Sequence, residues 1–165
     1  DKKLLYKNMK TVELVNKKAP FFSEVFALLE KIMDSREEYL SRFIFDSIRM
    51  ICDYLEIKTE LLVSSALEKN NALKGEDKVL EICSLLGADE YYNAIGGRAL
   101  YSCEHFRSKG IELKFVKTDP IEYPQFKNEF QPNLSILDVM MFNSVPKIKK
   151  MLERYTLITD EINEE

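Results

Sequence analysis

The sequence predicts an α/β fold, in which a parallel sheet of at least three strands is flanked by helices and preceded by a helical N-terminal third. Apolar residues recur at helical spacing through the first third of the 165 residues. The middle third then alternates short apolar runs with helical patterns. An order of strand, helix, strand, helix and strand is typical of a parallel sheet with right-handed crossovers.

Three helices are predicted in the first third of the chain. The first covers Leu4–Lys18, the second begins near Pro20, and Ser35 followed by Glu38 has the capping-box spacing that starts a third. The third helix has a broad apolar stripe, which consists of Leu40, Phe43, Ile44, Ile48, Ile51 and Leu55. Residues 1–58 are therefore expected to form a helical segment that packs on the sheet.

Three strands are predicted from short runs of apolar and β-branched residues. They are Thr59–Val63, Glu90–Asn93 and Ile111–Val116, and the helical patterns Gly75–Leu86 and Ala99–Lys109 separate them. Because a helix returns the chain between successive strands, the three strands are expected to be parallel.

Prolines interrupt regular structure after the third predicted strand, and two more helices follow. These helices are Ile136–Asn143 and Lys147–Tyr155. Residues 59–165 are expected to form an α/β core with these C-terminal helices, and to make one domain with residues 1–58.

The chain starts at Asp1, within a helical pattern and without an initiator methionine. A parallel sheet is normally covered on both faces and has more than three strands. We therefore expect a truncated N-terminus, with the sheet completed either by an upstream segment or by a second copy of the chain in a homo-oligomer.

Composition argues against several classes of function. The net charge of −4 is unlike that of nucleic-acid-binding proteins, which usually carry a basic excess. No uncharged run approaches the ~18 residues that a membrane span needs. No nucleic acid and no membrane span is therefore predicted.

Cysteine and histidine usage is sparse. Cys52, Cys83 and Cys103 lie far apart at apolar positions of predicted helices, which indicates buried thiols and a reducing, cytoplasmic location. His105 is the only histidine, so a multi-histidine metal site is excluded. On its predicted helix an exposed His105 is favoured over a general base. The sequence predicts no metal and no particular cofactor.

A Gly-Gly-Arg turn follows the second predicted strand, where ligands bind in open α/β sheets. Gly96 and Gly97 would let a ligand approach the backbone, and Arg98 could bind phosphate or carboxylate through two hydrogen bonds. Asn93 adds a polar side chain at the same place. The alternative, equally favoured, is a turn that needs positive φ, with Arg98 paired to an acidic neighbour.

Further candidate site residues lie in the last two thirds of the chain. Tyr123 and Gln125 follow the third predicted strand, where they could contact a sugar or a base, but for Gln125 a structural role in the loop is favoured over a site role. Asp138 stands three residues after Ser135, so a capping box is favoured over a catalytic base that faces the Gly-Gly turn. Asp77, in the first turn of a predicted helix, is a second candidate base.

An ordered set of motifs resembles the WbqC-like family between Ala19 and Tyr155. The set comprises Lys18-Ala19-Pro20-Phe21-Phe22, Gly75-Glu76-Asp77, Gly87-Ala88-Asp89, Tyr92-Asn93, Ile95-Gly96-Gly97-Arg98, Leu100-Tyr101, Phe106, Gly110-Ile111-Glu112-Leu113, Phe115, Tyr123-Pro124-Gln125-Phe126, Phe130 and Leu134-Ser135-Ile136-Leu137-Asp138-Val139.

The resemblance implies a role in making bacterial cell-surface polysaccharides of the O-antigen type. It implies a transferase-like activity, for which a nucleotide-activated or other phosphate-bearing sugar is the expected small-molecule partner. The alternative is a non-catalytic scaffold that docks on a biosynthetic enzyme through the helical third. Family members begin with a Gln-, Pro- and aromatic-rich motif that this sequence lacks, and Lys78 stands where the family more often has arginine.

Overall fold

The computed structural model describes residues 2–127 and 129–159, apart from the side chains of Lys2, Lys3 and Leu5. Residues 160–165 of the expected α/β core lie outside the described residues. The helices are α1 (Lys2–Asn16), α2 (Phe22–Met33), α3 (Leu40–Tyr54), α4 (Gly75–Leu85), α5 (Cys103–Ser108), α6 (Ile136–Phe142) and α7 (Val145–Leu152). Two 3₁₀ helices cover Ser64–Ala66 and Ile95–Leu100, and the strands are β1 (Glu90–Ala94), β2 (Glu112–Thr118) and β3 (Tyr155–Ile158).

The chain divides into two units, each with a hydrophobic core of its own. The helical unit contains the chain up to Leu61 together with Ile121–Glu153, and the sheet unit contains Leu62–Pro120 together with the chain from Arg154. The expected packing of residues 1–58 on the sheet stays a prediction.

The helical unit is built around α2, which contacts α1, α3 and α6. Val25, Leu29 and Ile32 are buried because their spacing places them on one face of α2. The predicted cap at Ser35 is wrong. Its hydroxyl accepts a hydrogen bond from the Glu37 backbone, but α3 begins only at Leu40, with no side-chain cap.

The sheet confirms the α/β class and corrects one strand. The order is β1-β2-β3, with β1 and β2 parallel from the pair Glu90 and Glu112 onward, and with β2 and β3 antiparallel. The predicted strand Thr59–Val63 is irregular, and the third strand lies instead at Tyr155–Ile158. The sheet is therefore mixed rather than wholly parallel.

Residue types explain why Tyr155–Ile158 forms the third strand and Thr59–Val63 does not. The central residues of Thr59–Val63, a glutamate and two leucines, are neither β-branched nor aromatic. Tyr155–Ile158 contains tyrosine, threonine and isoleucine, which fit a pleated surface better. The antiparallel partner β2 supplies its hydrogen bonds.

One face of the sheet packs on α4 and α5. Leu113, Phe115 and Ile158 point to this face, because side chains alternate along a strand. They meet apolar residues of the two helices, namely Leu80, Cys83, Cys103 and Phe106. The expected burial is confirmed for Cys83 and Cys103, and burial raises the pKa of the Cys83 thiol. Cys52 is only half-buried.

In the part of the chain that the structure describes, no helix is both long and apolar enough to cross a membrane.

Two leucines of the sheet unit provide a matched test of this core. Leu113 is 3% exposed and Leu100 is 72% exposed. We expect Leu113→Ala to lower the free energy of unfolding by about 2–5 kcal/mol, because it removes buried methyl groups and leaves a cavity. Leu100→Ala should change it by less than about 0.5 kcal/mol. Urea denaturation of both variants measures the difference, and equal losses would contradict the packing described.

Candidate functional site

The carboxyl ends of β1 and β2 lie at one edge of the sheet, because these two strands are parallel. We call this place the carboxyl edge. The 3₁₀ helix Ile95–Leu100 continues from β1 there. The first turns of α4 and α5 lie at the same edge, because each helix leads back to the amino end of a parallel strand.

Gly96 and Gly97 do not need positive φ. Both lie in the 3₁₀ helix, and the glycines with positive φ are elsewhere in the chain. At Gly96 the space that a Cβ would fill is open, whereas a Cβ on Gly97 would lie 2.8 Å from Nδ2 of Asn93. The alternative of a turn that requires positive φ is therefore wrong for this pair, and close packing against Asn93 explains Gly97.

Arg98 is half-buried in the last turn of the 3₁₀ helix. Within residues 2–127 and 129–159 its guanidinium makes no hydrogen bond and no ion pair, so the expected acidic neighbour is not found. Asn93 bonds locally, since its Oδ1 accepts from the backbone N–H of Ala94 at 2.8 Å. The arginine at this edge thus keeps its donors available for an anion.

Asp138 lies in the first turn of α6, but its side chain does not complete a capping box. Ser135 caps the helix by accepting from the backbone N–H of Leu137 at 3.3 Å. Oδ2 of Asp138 accepts from the Tyr123 hydroxyl at 2.7 Å and from Nε2 of Gln125 at 2.9 Å. The carboxylate therefore ties α6 to the preceding loop, and its role as a catalytic base stays a prediction.

Tyr123 and Gln125 are both buried, and their polar atoms point to protein partners. The Gln125 amide also pairs with the backbone of Gln131, whose N–H donates to Oε1 at 2.8 Å and whose carbonyl accepts from Nε2 at 3.2 Å. Burial, together with the bond to Asp138, raises the pKa of Tyr123 to about 12. Their predicted role in substrate binding is not tested by these contacts.

Phe126 follows Gln125 with a φ of 47°, a left-handed conformation that is strained for a bulky residue. Its ring packs edge-on against Phe142, with centroids 4.7 Å apart. The Gln125 amide thus joins its own segment to Gln131, and the contact with Phe142 accompanies the strained backbone of Phe126.

A third group, which the sequence did not reveal, joins α4 to α5. Glu76 accepts through Oε1 from the backbone N–H of Ser102 at 2.7 Å, and its Oε2 lies 3.1 Å from Nδ1 of His105. The Ser102 N–H, and less strongly His105, lowers the pKa of the Glu76 carboxyl. The partners are 26 and 29 residues from Glu76 in sequence, so no local spacing could have indicated the contact. The neighbouring candidate base, Asp77, is exposed.

The predicted site residues fall into two groups by unit. Asp77, Asn93, Gly96, Gly97 and Arg98 belong to the sheet unit. Tyr123, Gln125 and Asp138 belong to the helical unit.

The fold and these groups define an α/β protein whose sheet has, at its carboxyl edge, an arginine with no partner among the described residues. The chain belongs to the WbqC-like protein family, because the model of that family matches residues 1–150. This match confirms the resemblance found in the motifs. No curated protein and no solved structure is significantly similar to the chain.

Gln125 gives a direct test of the loop geometry. We expect Gln125→Ala to lower the free energy of unfolding by about 1–3 kcal/mol, because the backbone groups of Gln131 and the half-buried Asp138 carboxylate lose their bonds to the buried Gln125 amide. Gln131→Ala is the matched control, since Gln131 bonds through its backbone only, and it should cost less than about 0.5 kcal/mol. Denaturant unfolding of the two variants measures both losses. Equal losses of unfolding free energy in Gln125→Ala and Gln131→Ala would contradict the assigned contacts.

The lowered pKa of Glu76 predicts a pH dependence of stability. Because the folded pKa is below the unfolded one, the carboxylate stabilises the fold above the unfolded pKa and loses that effect as pH falls through the folded pKa. The difference in unfolding free energy between wild type and Glu76→Gln should therefore shrink between about pH 5 and about pH 3. Asp77→Asn, at an exposed neighbour, serves as the control. A difference that stays constant across this range would show that the carboxylate is not held as described.

Proposed function

We propose that the chain is a transferase of bacterial cell-surface polysaccharide biosynthesis, of the O-antigen type, that binds a nucleotide-activated or other phosphate-bearing sugar at Gly96–Arg98. The polysaccharide role rests on the WbqC-like family, to which the chain belongs. The binding site rests on one observation above all: Arg98 has no partner among the described residues and lies at the carboxyl edge.

The chemistry of the edge suits a phosphate group. The donors of Arg98 match the oxygens of phosphate in two parallel hydrogen bonds. The open space at Gly96 lets a ligand approach the backbone closely. Asn93 would help to orient the sugar or its acceptor, while Asp77 and Asp138 remain the two candidate bases predicted from the sequence.

Arg98→Ala tests the binding site. Loss of a charged hydrogen bond costs about 1.5–3 kcal/mol, so we expect the dissociation constant to rise about 10- to 150-fold. The melting temperature should not change, because Arg98 has no partner to lose among the described residues. Calorimetric titration with a panel of UDP-, GDP- and dTDP-linked hexoses measures the dissociation constants of wild type and of Arg98→Ala.

Arg107→Ala is the control for this titration. Arg107 is an exposed arginine in the last turn of α5, away from the start of that helix, so its removal should leave affinity unchanged. If wild type and Arg98→Ala bind every ligand of the panel equally, the proposed site is refuted.

A scaffold is the second candidate function, and the surface of α3 favours it. Leu40, Ile44 and Ile48 recur every fourth residue on one face of this helix, and they are 70%, 45% and 46% exposed. None of the residues of α3 is fully buried. An exposed apolar stripe of this kind is typical of a docking surface for another protein. For a scaffold, Arg98→Ala would leave the affinity for every ligand of the panel unchanged.

A further inference from the structure

His105 is held at the start of α5 by its own helix. Ser102 precedes the helix, and its hydroxyl accepts from the backbone N–H of His105 at 3.2 Å. Since α5 connects the parallel strands β1 and β2, the helix begins at the carboxyl edge. His105 and Arg98 therefore share one unit and one edge of its sheet.

Glu76 fixes which ring nitrogen of His105 carries the proton. The lowered pKa of Glu76 means that its carboxyl is ionised near neutral pH, and an ionised carboxylate can only accept hydrogen bonds. The contact of 3.1 Å to Oε2 thus requires a proton on Nδ1. Nε2 of the neutral ring then keeps its lone pair, and it has no partner among the described residues.

Accessibility differs between the two members of the pair. The Glu76 side chain is 22% exposed, while that of His105 is 37% exposed. The second oxygen of Glu76, Oε1, also accepts a hydrogen bond from the backbone N–H of Ser102. The carboxylate is thus a fixed, shielded group, and the imidazole is the member that a ligand can reach.

We propose that His105 is the general base at the carboxyl edge and that Glu76 is its positioning residue. This inference rests on the proposed transferase function and adds an acid–base pair to it. A carboxylate that orients an imidazole, and stabilises the imidazolium that forms, is the arrangement by which histidine bases act.

The hydroxyl proton of the acceptor moves to Nε2 of His105, and the acceptor oxygen forms a bond to the sugar carbon of the donor. The bond between that carbon and the phosphate oxygen breaks, and its electron pair leaves with the phosphate, whose charge Arg98 neutralises. Glu76 stabilises the imidazolium until the proton is released to water.

A purely structural pair would join α4 to α5 without any chemistry. His105→Asn separates the two roles, because the asparagine amide can donate to Glu76 from the place of Nδ1 but offers no basic nitrogen. His105→Gln is the second variant. Its side chain is longer, so its amide lies nearer the position of Nε2, but it likewise has no basic nitrogen.

The first measurement is the tautomer of His105 by ¹⁵N NMR, which needs no assignment because the chain has a single histidine. We expect the neutral ring to carry its proton on Nδ1 in wild type, and to lose this preference in Glu76→Ala. A wild-type ring with its proton on Nε2 would overturn the inference.

The second measurement is turnover, followed as release of nucleoside diphosphate from the UDP-, GDP- and dTDP-linked hexoses, with water or an added sugar as acceptor. We expect His105→Asn to lower kcat by about 10²- to 10⁴-fold, with KM and melting temperature near those of wild type. His105→Gln should lose kcat equally. If the kcat of His105→Asn is within a few-fold of the wild-type value, His105 has only a structural role and the inference is refuted.

The outcomes separate this inference from the proposed function. Donors that bind and turn over normally in His105→Asn refute the general base alone, as does a loss of turnover confined to Asp77→Asn or Asp138→Asn. A wild-type chain that binds donors without transferring or hydrolysing them also refutes the acid–base step. If no donor binds to wild type, the proposed function fails, and the transfer role of His105 fails with it.

Discussion

The parallel pairing of β1 with β2 is the constraint on which the sheet unit depends. Parallel neighbours cannot be joined by a tight turn, so the chain must cross over between Ala94 and Glu112. That crossover contains the 3₁₀ helix with Arg98 and the helix with His105. Both segments follow the carboxyl end of β1. The parallel pairing of β1 with β2 therefore brings Arg98, Gly96, Gly97 and the imidazole of His105 to the carboxyl edge.

A carboxylate that accepts two hydrogen bonds organises each unit. In the sheet unit Glu76 holds the segment just after the 3₁₀ helix, through Ser102 and His105. In the helical unit Asp138 holds the loop that precedes α6, through Tyr123 and Gln125. Each of these carboxylates joins segments distant in sequence, and loss of either leaves polar partners unsatisfied.

Local patterns in the sequence located the helices and the two parallel strands, because residue periodicity and propensity decide those elements. Two helix bounds were wrong, since Ala99–Leu100 lies in a 3₁₀ helix before α5 and Tyr155 lies in β3 rather than at the end of the last helix. The local patterns failed for Thr59–Val63 and for Tyr155–Ile158, since a strand also needs a partner, and the partner of β3 lies some 40 residues upstream in β2. They also placed Arg98 directly after a strand, where the structure has it, while its role in a site stays a prediction. They missed the pair of Glu76 and His105, because only the tertiary fold brings these two helices together.

Ion pairs stabilise the parallel pair β1 and β2 on the sheet face opposite its core. The register places Glu90 directly opposite Glu112, a like-charge pair that would destabilise the strands. Lys114 relieves it, with Nζ 3.0 Å from Glu112 and also bonded to Glu90, and both contacts raise the pKa of the lysine. Glu90 lies on the edge strand β1, where a charged side chain also discourages pairing with other chains. The lysine thus stabilises the parallel register, and that register assembles the carboxyl edge at the other end of the strands.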